Sequence, residues 1–388
     1  MTELAGVADA IIVAAGASRR MGGIDKLHAP LLGRALLAWT IDAVAAARSV
    51  RRVVVVAPRD GVETLGAEPW LRAHGVVVVA GGSRRQASVA AGLAATDAPV
   101  VLVHDGARPL VSPGLVDRVA AATAEHGAAI PVRPLAETLK RLEAGVVAGT
   151  VDRADLVTAQ TPQGARRELL VAAFAAHAPD GPEEFTDEAA LLEASGARVV
   201  TVLGDADNLK VTTPEDLERA CAILAHRLGP PRVGQGRDSH PFGPQDGLAL
   251  GGIVIPAAPR LHGHSDGDVA LHAVADALLG ATGQGDLGRI FPAGDPSTRG
   301  VDSRELLAEI VRRIGALGWR PAGLDLLIVG ARPRLGAERL DAMRDVIARL
   351  LDLAPEAVSV RASSGNLDGP EGAGRSIAAQ ALATVMRR

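Results

Sequence analysis

The first half of the chain repeats one pattern, in which a short apolar run rich in β-branched residues precedes a longer stretch of helical periodicity. The apolar runs cover residues 10–15, 53–57, 76–80 and 99–103, and each is bounded by Gly, Pro or a charged residue. Runs of this length and composition are typical of parallel strands that are buried on both faces. Helical segments such as 35–47 and 88–95 lie between them, so the pattern predicts a doubly wound α/β domain.

A polar, glycine-rich loop follows the first predicted strand. It reads AAGASRRMGGIDK over residues 14–26, and HDGARP follows the fourth strand at 104–109. Glycines such as Gly16 permit close approach of the backbone to a phosphate, and Arg20 and Lys26 add positive charge. Because ligands of doubly wound folds bind beyond the carboxyl ends of the strands, the loop is interpreted as a triphosphate-binding loop of non-Walker type. The alternative interpretation is a solvated loop with scattered basic residues.

Several segments of this first half resemble 2-C-methyl-D-erythritol 4-phosphate cytidylyltransferases, over about residues 9–227. The segments are AAGASRRMG, GGSRRQASVAAGL, VHDGARP, TVDR, QTPQ, TDEA and DNLKVTTPEDL. The resemblance implies catalysis by Arg20, Lys26 and Lys210, with Mg²⁺ bound to the nucleotide phosphates. It implies CTP contacts at Gly16, Gly82 and Ser88, and methylerythritol phosphate contacts at Asp105, Arg108, Thr138, Arg153 and Thr161. In the family a protruding arm of a neighbouring subunit supplies some of these contacts, and that arm corresponds here to about residues 138–153.

A domain boundary is predicted near the GPPR segment at 229–232. The helical pattern of residues 214–228 precedes Gly229, which can end a helix, and two prolines prevent its continuation. At 388 residues the chain is long for one core. We therefore expect one domain over 1–228, a linker at 229–231 and a second domain over 232–388.

The second half contains a pattern of metal-binding residue types. In an extended DSH triplet, Asp238 and His240 point to the same side of a strand. In a helical reading of HSDGDVALHAVAD, residues 264–276, Asp268, His272 and Asp276 share one face. Two histidines and a carboxylate are a frequent ligand set for Zn²⁺ that leaves one position open for substrate. The helix pattern suggests Asp268 and Asp276 as partners that orient a ligand histidine. The alternative is a set of ordinary polar residues in a loop and on a helix face.

The second half also resembles 2-C-methyl-D-erythritol 2,4-cyclodiphosphate synthases from about Arg232 onward. The resemblance rests on RVGQGRDSHPFG, LGGIVIP, HGHSDGDVALHAVADALLGA, GDLGRIFP and DSRELL. It implies that Asp238, His240 and His272 hold Zn²⁺ or another divalent transition metal. It implies substrate contacts at His264, Ser265, Asp286, Ser363 and Ser364, and trimers with sites between subunits. The expected fold is a smaller α+β, trimer-forming domain, with a strand pair, the metal-site helix, helix 303–317, strand 324–329, helix 337–351, strand 357–362 and a final helix after Gly374.

Several positions depart from the cyclodiphosphate synthase pattern. Asn366 stands where a glutamate is usual, and Pro370 and Ala373 replace a phenylalanine and an arginine. Ala293 replaces an acidic residue of a substrate loop that also holds Asp295. In the first half, Ser83 replaces a frequent aspartate. These departures concern the binding of CDP and metal more than the reaction.

The composition agrees with a cytosolic enzyme. The net charge of −4 and the scarcity of aromatic residues give no case for nucleic acid or for an anionic membrane. The single cysteine, Cys221, excludes a disulfide within the chain. No apolar run is long enough to span a membrane. We therefore expect a cytoplasmic location.

Together the two resemblances predict a bifunctional enzyme of isoprenoid precursor synthesis. One reaction converts CTP and methylerythritol 4-phosphate to CDP-methylerythritol and pyrophosphate. The other converts CDP-methylerythritol 2-phosphate to the cyclic diphosphate and CMP. A separate ATP-dependent kinase must act between them, since neither half carries a P-loop. A homo-oligomer is expected, either a trimer or a hexamer built through N-terminal dimers. Two alternatives stay open: a first domain that accepts another sugar or polyol phosphate, and a second domain that only binds metal and CMP and trimerises without turnover.

Overall fold

The computed structural model describes residues 5–16, 28–292, 294 and 299–387. The chain divides into two compact units between Leu224 and Ala225. Each unit has its own sheet and its own hydrophobic core, and each is described separately below.

The first unit is built on a mixed eight-stranded sheet with a parallel centre. The strands β1 (Ala8–Val13), β4 (Val50–Ala57), β5 (Val77–Ala80) and β6 (Val100–Asp105) are mutually parallel, in the order β6-β1-β4-β5. They overlap the four predicted apolar runs, so the predicted parallel, doubly wound arrangement is confirmed. Ile11, Val56 and Val103 from this centre are buried against helices on the sheet.

The remaining strands extend or flank the parallel centre. In the sheet, β11 (Gln163–Arg166) runs antiparallel to β6 and β7 (Ala128–Pro134), while β10 (Val157–Ala159) and β12 (Val200–Leu203) pair with β7. Two small hairpins are separate, β2 (Pro30–Leu31) with β3 (Arg34–Ala35) and β8 (Leu139–Glu143) with β9 (Val146–Val151). The β8–β9 hairpin occupies the segment predicted as an arm.

The helices of the first unit lie between the strands, as the sequence pattern predicts. Their bounds are α1 (Leu36–Ala45), α2 (Val62–Ala67), α3 (Pro69–Arg72), α4 (Arg85–Ala94), α5 (Pro113–His126), α6 (Arg167–Ala176), α7 (Glu188–Ala194) and α8 (Pro214–Leu228). The division between the units falls within α8. Ser112 caps α5 by accepting a hydrogen bond from the backbone of Leu115.

The second unit is an α+β fold on a five-stranded sheet of order β14-β13-β17-β15-β16. The strands are β13 (Arg232–Leu250), β14 (Ile253–Leu261), β15 (Trp319–Val329), β16 (Val358–Ser363) and β17 (Ser376–Arg387). The helices are α9 (Val269–Thr282), α10 (Leu287–Ile290), α11 (Ser303–Ala316), α12 (Gly336–Leu351) and α13 (Gly369–Gly372). The predicted strand pair, the metal-site helix α9 and the predicted helices that correspond to α11 and α12 are confirmed.

The predicted final helix after Gly374 is wrong, because Ser376–Arg387 forms β17 in the middle of the sheet, between β13 and β15. The alanine-rich composition of this segment has high helix propensity. However, Gln380 and Leu382 are exposed while Ala381 and Ala383 are buried, which is the two-residue period of a strand. Hydrogen-bonded neighbours on both sides override the propensity.

Two glycines let α9 approach β13 closely. A Cβ at Gly234 would lie 2.1 Å from the carbonyl oxygen of Ala277, and one at Gly236 would lie 2.0 Å from that of Ala273. Both distances are far below van der Waals contact, so only glycine allows this separation. The strand that carries Asp238 and His240 thereby meets the helix that carries His272.

Among the described residues, none of the helices combines the length and the apolar character that crossing a membrane requires.

Two candidate active sites

A cavity of about 330 Å³ lies at the carboxyl ends of β1 and β6 in the first unit. Its walls are formed by residues 13–16, 82–85 and 105–107, together with Ser88 and Lys210. The position agrees with the expectation that ligands of such sheets bind beyond the carboxyl ends of the strands. Gly16, Gly82, Ser88, Asp105 and Lys210, all predicted from the sequence, are brought together here.

Asp105 is the centre of a cationic cluster in this cavity. Its Oδ2 lies 3.0 Å from Lys210 Nζ and 3.4 Å from Arg108 Nε, and its Oδ1 lies 3.7 Å from Arg85 Nη2. Burial alone would raise the pKa of Asp105, but the charges of Lys210, Arg85 and Arg108 hold it well below the usual range. The carboxylate is therefore ionised and fixes three cations around one point.

Arg85 and Glu188 belong to this cluster but were not predicted as site residues. Arg85 donates two hydrogen bonds to the Glu188 carboxylate, at 2.5 and 3.0 Å. Burial disfavours its charged form, yet the carboxylates of Glu188 and Asp105 raise the pKa of Arg85 above its ordinary value. The only signal in the sequence was that both residues lie in the GGSRRQ and TDEA segments that carry the family resemblance.

A buried hydrogen-bond network fixes the backbone of Asp105, the central residue of this cluster. The Thr161 hydroxyl oxygen lies 3.1 Å from the Asp105 backbone nitrogen, which donates to it, and 2.9 Å from His104 Nδ1. The side-chain amide of Asn208 donates to the Thr161 backbone carbonyl, and the Asn208 backbone carbonyl accepts from Arg108. Complete burial lowers the pKa of His104 to about 4, so its ring is neutral near pH 7. Thr161 and Arg108 thus contact the cavity residue Asp105 without lining the cavity themselves.

The other four residues predicted for the first unit are two outside the described ranges and two beside the β8–β9 hairpin. Arg20 and Lys26 lie outside the described residues. Thr138 and Arg153 flank the β8–β9 hairpin, where Arg153 donates to the carbonyl of Ala136. Within the described ranges neither of them lines the cavity around Asp105.

In the second unit, Asp238, His240 and His272 form a cluster that could hold a metal ion. One ligand atom from each lies within 4.8 Å of the other two. Asp238 Oδ2 is 3.0 Å from His240 Nε2 and 2.8 Å from His272 Nδ1. One carboxylate and two imidazoles within this span fit a tetrahedral ion with one position left for substrate.

The electrostatics of this cluster follow from the same contacts. Burial would raise the pKa of Asp238, but hydrogen bonds from His240 and His272 hold it well below the usual range. Burial would lower the pKa of His272, but the Asp238 carboxylate raises it. The three side chains therefore form a compact set of donors around an ionised carboxylate.

The expected role of Asp268 and Asp276 in orienting His272 is wrong. Asp268 precedes α9 as its N-cap, and its carboxylate accepts from backbone N–H groups at Gly251, Gly252, Ala270 and Leu271. The Asp276 carboxylate accepts from the Leu287 N–H. Instead, the hydroxyls of Ser265 and Ser303 contact His272 Nε2, at 3.1 and 3.0 Å.

The cluster lines a cavity of about 280 Å³ that includes His264 and Ser265. Asp286 lies at the edge of this region, where it caps α10 directly before the lining residue Leu287. Ser363 and Ser364 instead line another cavity, of about 260 Å³, with Arg332 and Arg334. Four of the five predicted substrate residues of the second unit therefore line two separate cavities of one chain. Ala293 and Asp295 lie outside the described residues.

Comparisons with known proteins agree with this division into two sites. Residues 8–226 match the family model described as IspD, 2-C-methyl-D-erythritol 4-phosphate cytidylyltransferase, and residues 231–386 match the YgbB family. A bifunctional enzyme IspD/IspF of Anaeromyxobacter dehalogenans is 44% identical over 382 residues, with 97% of each chain covered. Another, of Rhodospirillum rubrum, is 43% identical over 384 residues and covers 97% of this chain and 98% of its own.

A solved structure resembles the first part of the chain. The crystal structure of 4-diphosphocytidyl-2C-methyl-D-erythritolsynthase from Anaerococcus prevotii aligns with a TM-score of 0.50 and 28% identity. The alignment covers 56% of this chain and 98% of that one. With two family models and full-length relatives in agreement, the chain belongs to the bifunctional IspD/IspF enzymes of isoprenoid precursor synthesis, which carry a cytidylyltransferase domain and a cyclodiphosphate synthase domain.

Proposed function

We propose that the cavity around Asp105 binds CTP and methylerythritol 4-phosphate, and that Arg20, Lys26 and Lys210 act on the α-phosphate of the cytidylyl group that is transferred. A phosphate oxygen attacks the α-phosphorus of CTP and pyrophosphate leaves. Negative charge grows on the equatorial oxygens, so fixed cations lower the barrier. The convergence of Lys210, Arg85 and Arg108 on Asp105 supports this assignment. Mg²⁺ would accompany the nucleotide phosphates, bound mainly by their oxygens and by water.

In the same proposal, Gly16, Gly82 and Ser88 contact the nucleotide. Gly82 and Ser88 are already joined, since the Gly82 N–H donates to the Ser88 hydroxyl at 3.2 Å. Asp105, Arg108, Thr138, Arg153 and Thr161 contact methylerythritol phosphate. Thr138 and Arg153 would serve a neighbouring subunit, because they flank a hairpin whose Leu142, Val146 and Val147 are 61%, 69% and 57% exposed.

For the second reaction we propose that Asp238, His240 and His272 hold Zn²⁺ or another divalent transition metal. The observation that carries this is the spacing of their three ligand atoms. When bound, the ion supplies Lewis acidity toward the β-phosphate and a template for the substrate. The 2-phosphate of CDP-methylerythritol 2-phosphate attacks the β-phosphorus, and CMP leaves. His264, Ser265 and Asp286 would bind the phosphates, and Ser363 and Ser364 would bind the CDP portion.

A trimer would join the two cavities of the second unit. Ser363 and Ser364 line one cavity and the metal cluster lines another, so one subunit would supply the first and its neighbour the second. N-terminal contacts through the hairpin would extend a trimer to a hexamer. We also propose the linker at 229–231, a cytoplasmic location, and a separate ATP-dependent kinase that phosphorylates the first product.

One incubation series tests the proposal. Purified protein receives methylerythritol 4-phosphate with CTP, then separately the phosphorylated CDP intermediate, and pyrophosphate and CMP are measured independently. We expect both products from the unmodified protein. His272→Ala should lose zinc and CMP release but keep pyrophosphate release, because Lys210 and Asp105 lie in the other unit.

The outcomes separate the alternatives. Retained zinc with retained CMP release in His272→Ala would remove His272 from the metal site. Absence of CMP release from the unmodified protein, with zinc bound, would favour a second domain that only trimerises and binds. A panel of polyol phosphates in the first reaction would expose a different substrate preference.

A further inference from the structure

We propose that Asp266 and Ser303 are positioning residues that keep a proton on Nε2 of His272, so that its Nδ1 lone pair is directed at the metal position. This inference rests on the metal site proposed above. It adds two residues that do not touch the metal cluster's carboxylate but fix the direction of one of its imidazoles.

The Ser303 hydroxyl donates its hydrogen to the Asp266 carboxylate. The Ser303 hydroxyl lies 2.5 Å from Asp266 Oδ1, and the Ser303 backbone N–H donates to Asp266 Oδ2 at 3.1 Å. An ionised carboxylate can only accept. The single hydroxyl hydrogen of Ser303 is therefore committed to Asp266, in the short, charge-assisted form of such bonds.

This direction determines the proton on His272 Nε2. Its Nε2 lies 3.0 Å from Ser303 Oγ, whose hydrogen is already donated elsewhere. That oxygen can only accept, so Nε2 must carry the proton of this hydrogen bond. The other ring nitrogen, Nδ1, lies 2.8 Å from Asp238 Oδ2, on the side of the proposed ion. With a metal ion at Nδ1, the hydrogen bonds that link Asp266, Ser303 and His272 would keep the proton on Nε2. This is the tautomer whose Nδ1 can coordinate.

The pair lies where two helices begin. Ser303 is 1% exposed and is the first residue of α11. Asp266 also accepts from the backbone N–H of Asp268, at 3.2 Å, and Asp268 caps α9. The pair thus ties the start of α11 to the start of the helix that carries His272, and turning the ring would break its contacts with both Ser303 and Asp238.

Ser265 provides an internal comparison, because its hydroxyl is also close to His272 Nε2, at 3.1 Å. Its oxygen accepts from the Gly267 N–H at 3.3 Å, and it lines the cavity. Unlike Ser303, it is not bonded to a carboxylate in the structure; its hydroxyl can donate to Ser303 Oγ, at 3.4 Å, a long contact that a phosphate oxygen can replace. The two serines therefore have different roles: Ser303 accepts the hydrogen bond that orients the His272 ring, and Ser265 can donate to a phosphate in the cavity.

The direct test is the proton on His272 Nε2 in the zinc-loaded, full-length protein. Selective ¹⁵N-labelling of histidine gives a spectrum of ten residues, and His272→Ala identifies the signal. We expect a directly bonded proton on Nε2 of His272, protected from exchange with water. Zinc on Nε2, or an Nε2 without a proton in the zinc-bound protein, overturns the inference while leaving the metal site intact.

Variants separate positioning from general packing. Ser303→Ala removes the anchored acceptor, and the isosteric Asp266→Asn removes the charge that anchors it. Each should lower zinc affinity by about 10- to 100-fold and speed exchange of the Nε2 proton. Ser265→Ala, the matched control, should keep the protected proton and lose less zinc affinity than Ser303→Ala. Pyrophosphate release and thermal melting verify folding.

Equal zinc affinity and equal proton exchange in Ser303→Ala and Ser265→Ala would overturn the assigned roles. Absence of zinc binding by the unmodified protein would instead overturn the proposed metal site itself, and the inference with it. If Ser303→Ala does not fold, Asp266→Asn and the spectrum of the unmodified protein still decide the question.

Discussion

Gly236→Ala should disable the second site without touching any proposed ligand. The added Cβ would lie 2.0 Å from the carbonyl oxygen of Ala273, the residue directly after His272. An ordinary carbon–oxygen contact begins near 3.4 Å. The helix α9 must therefore retreat from β13 by about 1.4 Å, or the strand must bend by as much. Overpacking of this kind typically costs about 1–3 kcal/mol of stability.

The consequence for the metal site is larger than the cost in stability. Zinc sites tolerate about 0.2 Å in ligand distance. A shift of α9 moves His272 away from Asp238 and His240, which stay on β13. A misplacement of about 1 Å can cost about 100-fold in rate. We therefore expect a loss of zinc affinity and about a 100-fold fall in CMP release, with pyrophosphate release unchanged.

Gly280→Ala is the matched control for this prediction. Gly280 lies on the same helix, but a Cβ there would be 3.8 Å from the carbonyl oxygen of Gln235, which is an ordinary contact. Alanine at this helical position should stabilise the second unit by up to about 1 kcal/mol and keep zinc. The measurements are zinc per chain, zinc affinity and CMP release in one preparation. Normal zinc affinity and normal CMP release in Gly236→Ala would refute the reasoning.

Three further predictions concern the first unit and the order of reactions. Lys210→Ala should lower pyrophosphate release by about 100- to 1000-fold, because it removes a cation held beside Asp105 at 3.0 Å; release within tenfold of normal would contradict this. His104 has a pKa lowered by burial to about 4, so between pH 6.5 and 4 the unfolded chain binds a proton that the folded chain does not. Stability should therefore decline as pH falls through this window, by up to about 3 kcal/mol from this group; denaturant melts should show a shallower decline in His104→Gln, and an equal decline would exclude His104. Methylerythritol 4-phosphate and CTP alone should yield CDP-methylerythritol and no cyclic product until a kinase and ATP are added; cyclic diphosphate without them, detected by mass spectrometry, would disprove the need for a separate kinase.

The parts of the fold that the sequence predicted best are those in which local and tertiary preferences agree. The β-branched runs became the parallel strands β1, β4, β5 and β6, and α8 has the predicted bounds because Pro214 begins it and Gly229 follows it. In β17 the two preferences conflict. Its alanines favour a helix locally, while burial between β13 and β15 requires a strand, and no local signal reports the neighbours.

The site shows the same limit in another form. Sequence spacing placed Asp238 and His240 on one side of a strand, and the structure brings His272 to them. The sequence spacing could not predict that Asp268 would cap α9, or that Ser303, from a different helix, would contact His272. Likewise, the pairing of Arg85 with Glu188 joins residues far apart in the chain. Partners that meet only through tertiary packing leave no periodic pattern in the sequence.

Both cavities contain an ionised carboxylate among positive or proton-donating groups, but the two carboxylates suit different chemistry. Asp105 is surrounded by Lys210, Arg85 and Arg108, permanent cations that need no metal to face a phosphate. Asp238 is paired with the imidazoles of His240 and His272, which can exchange their protons for a metal ion. The first arrangement fits the positioning of phosphate groups by fixed cations. The second fits a resident transition metal, since imidazole nitrogens are ligands that Mg²⁺ rarely accepts.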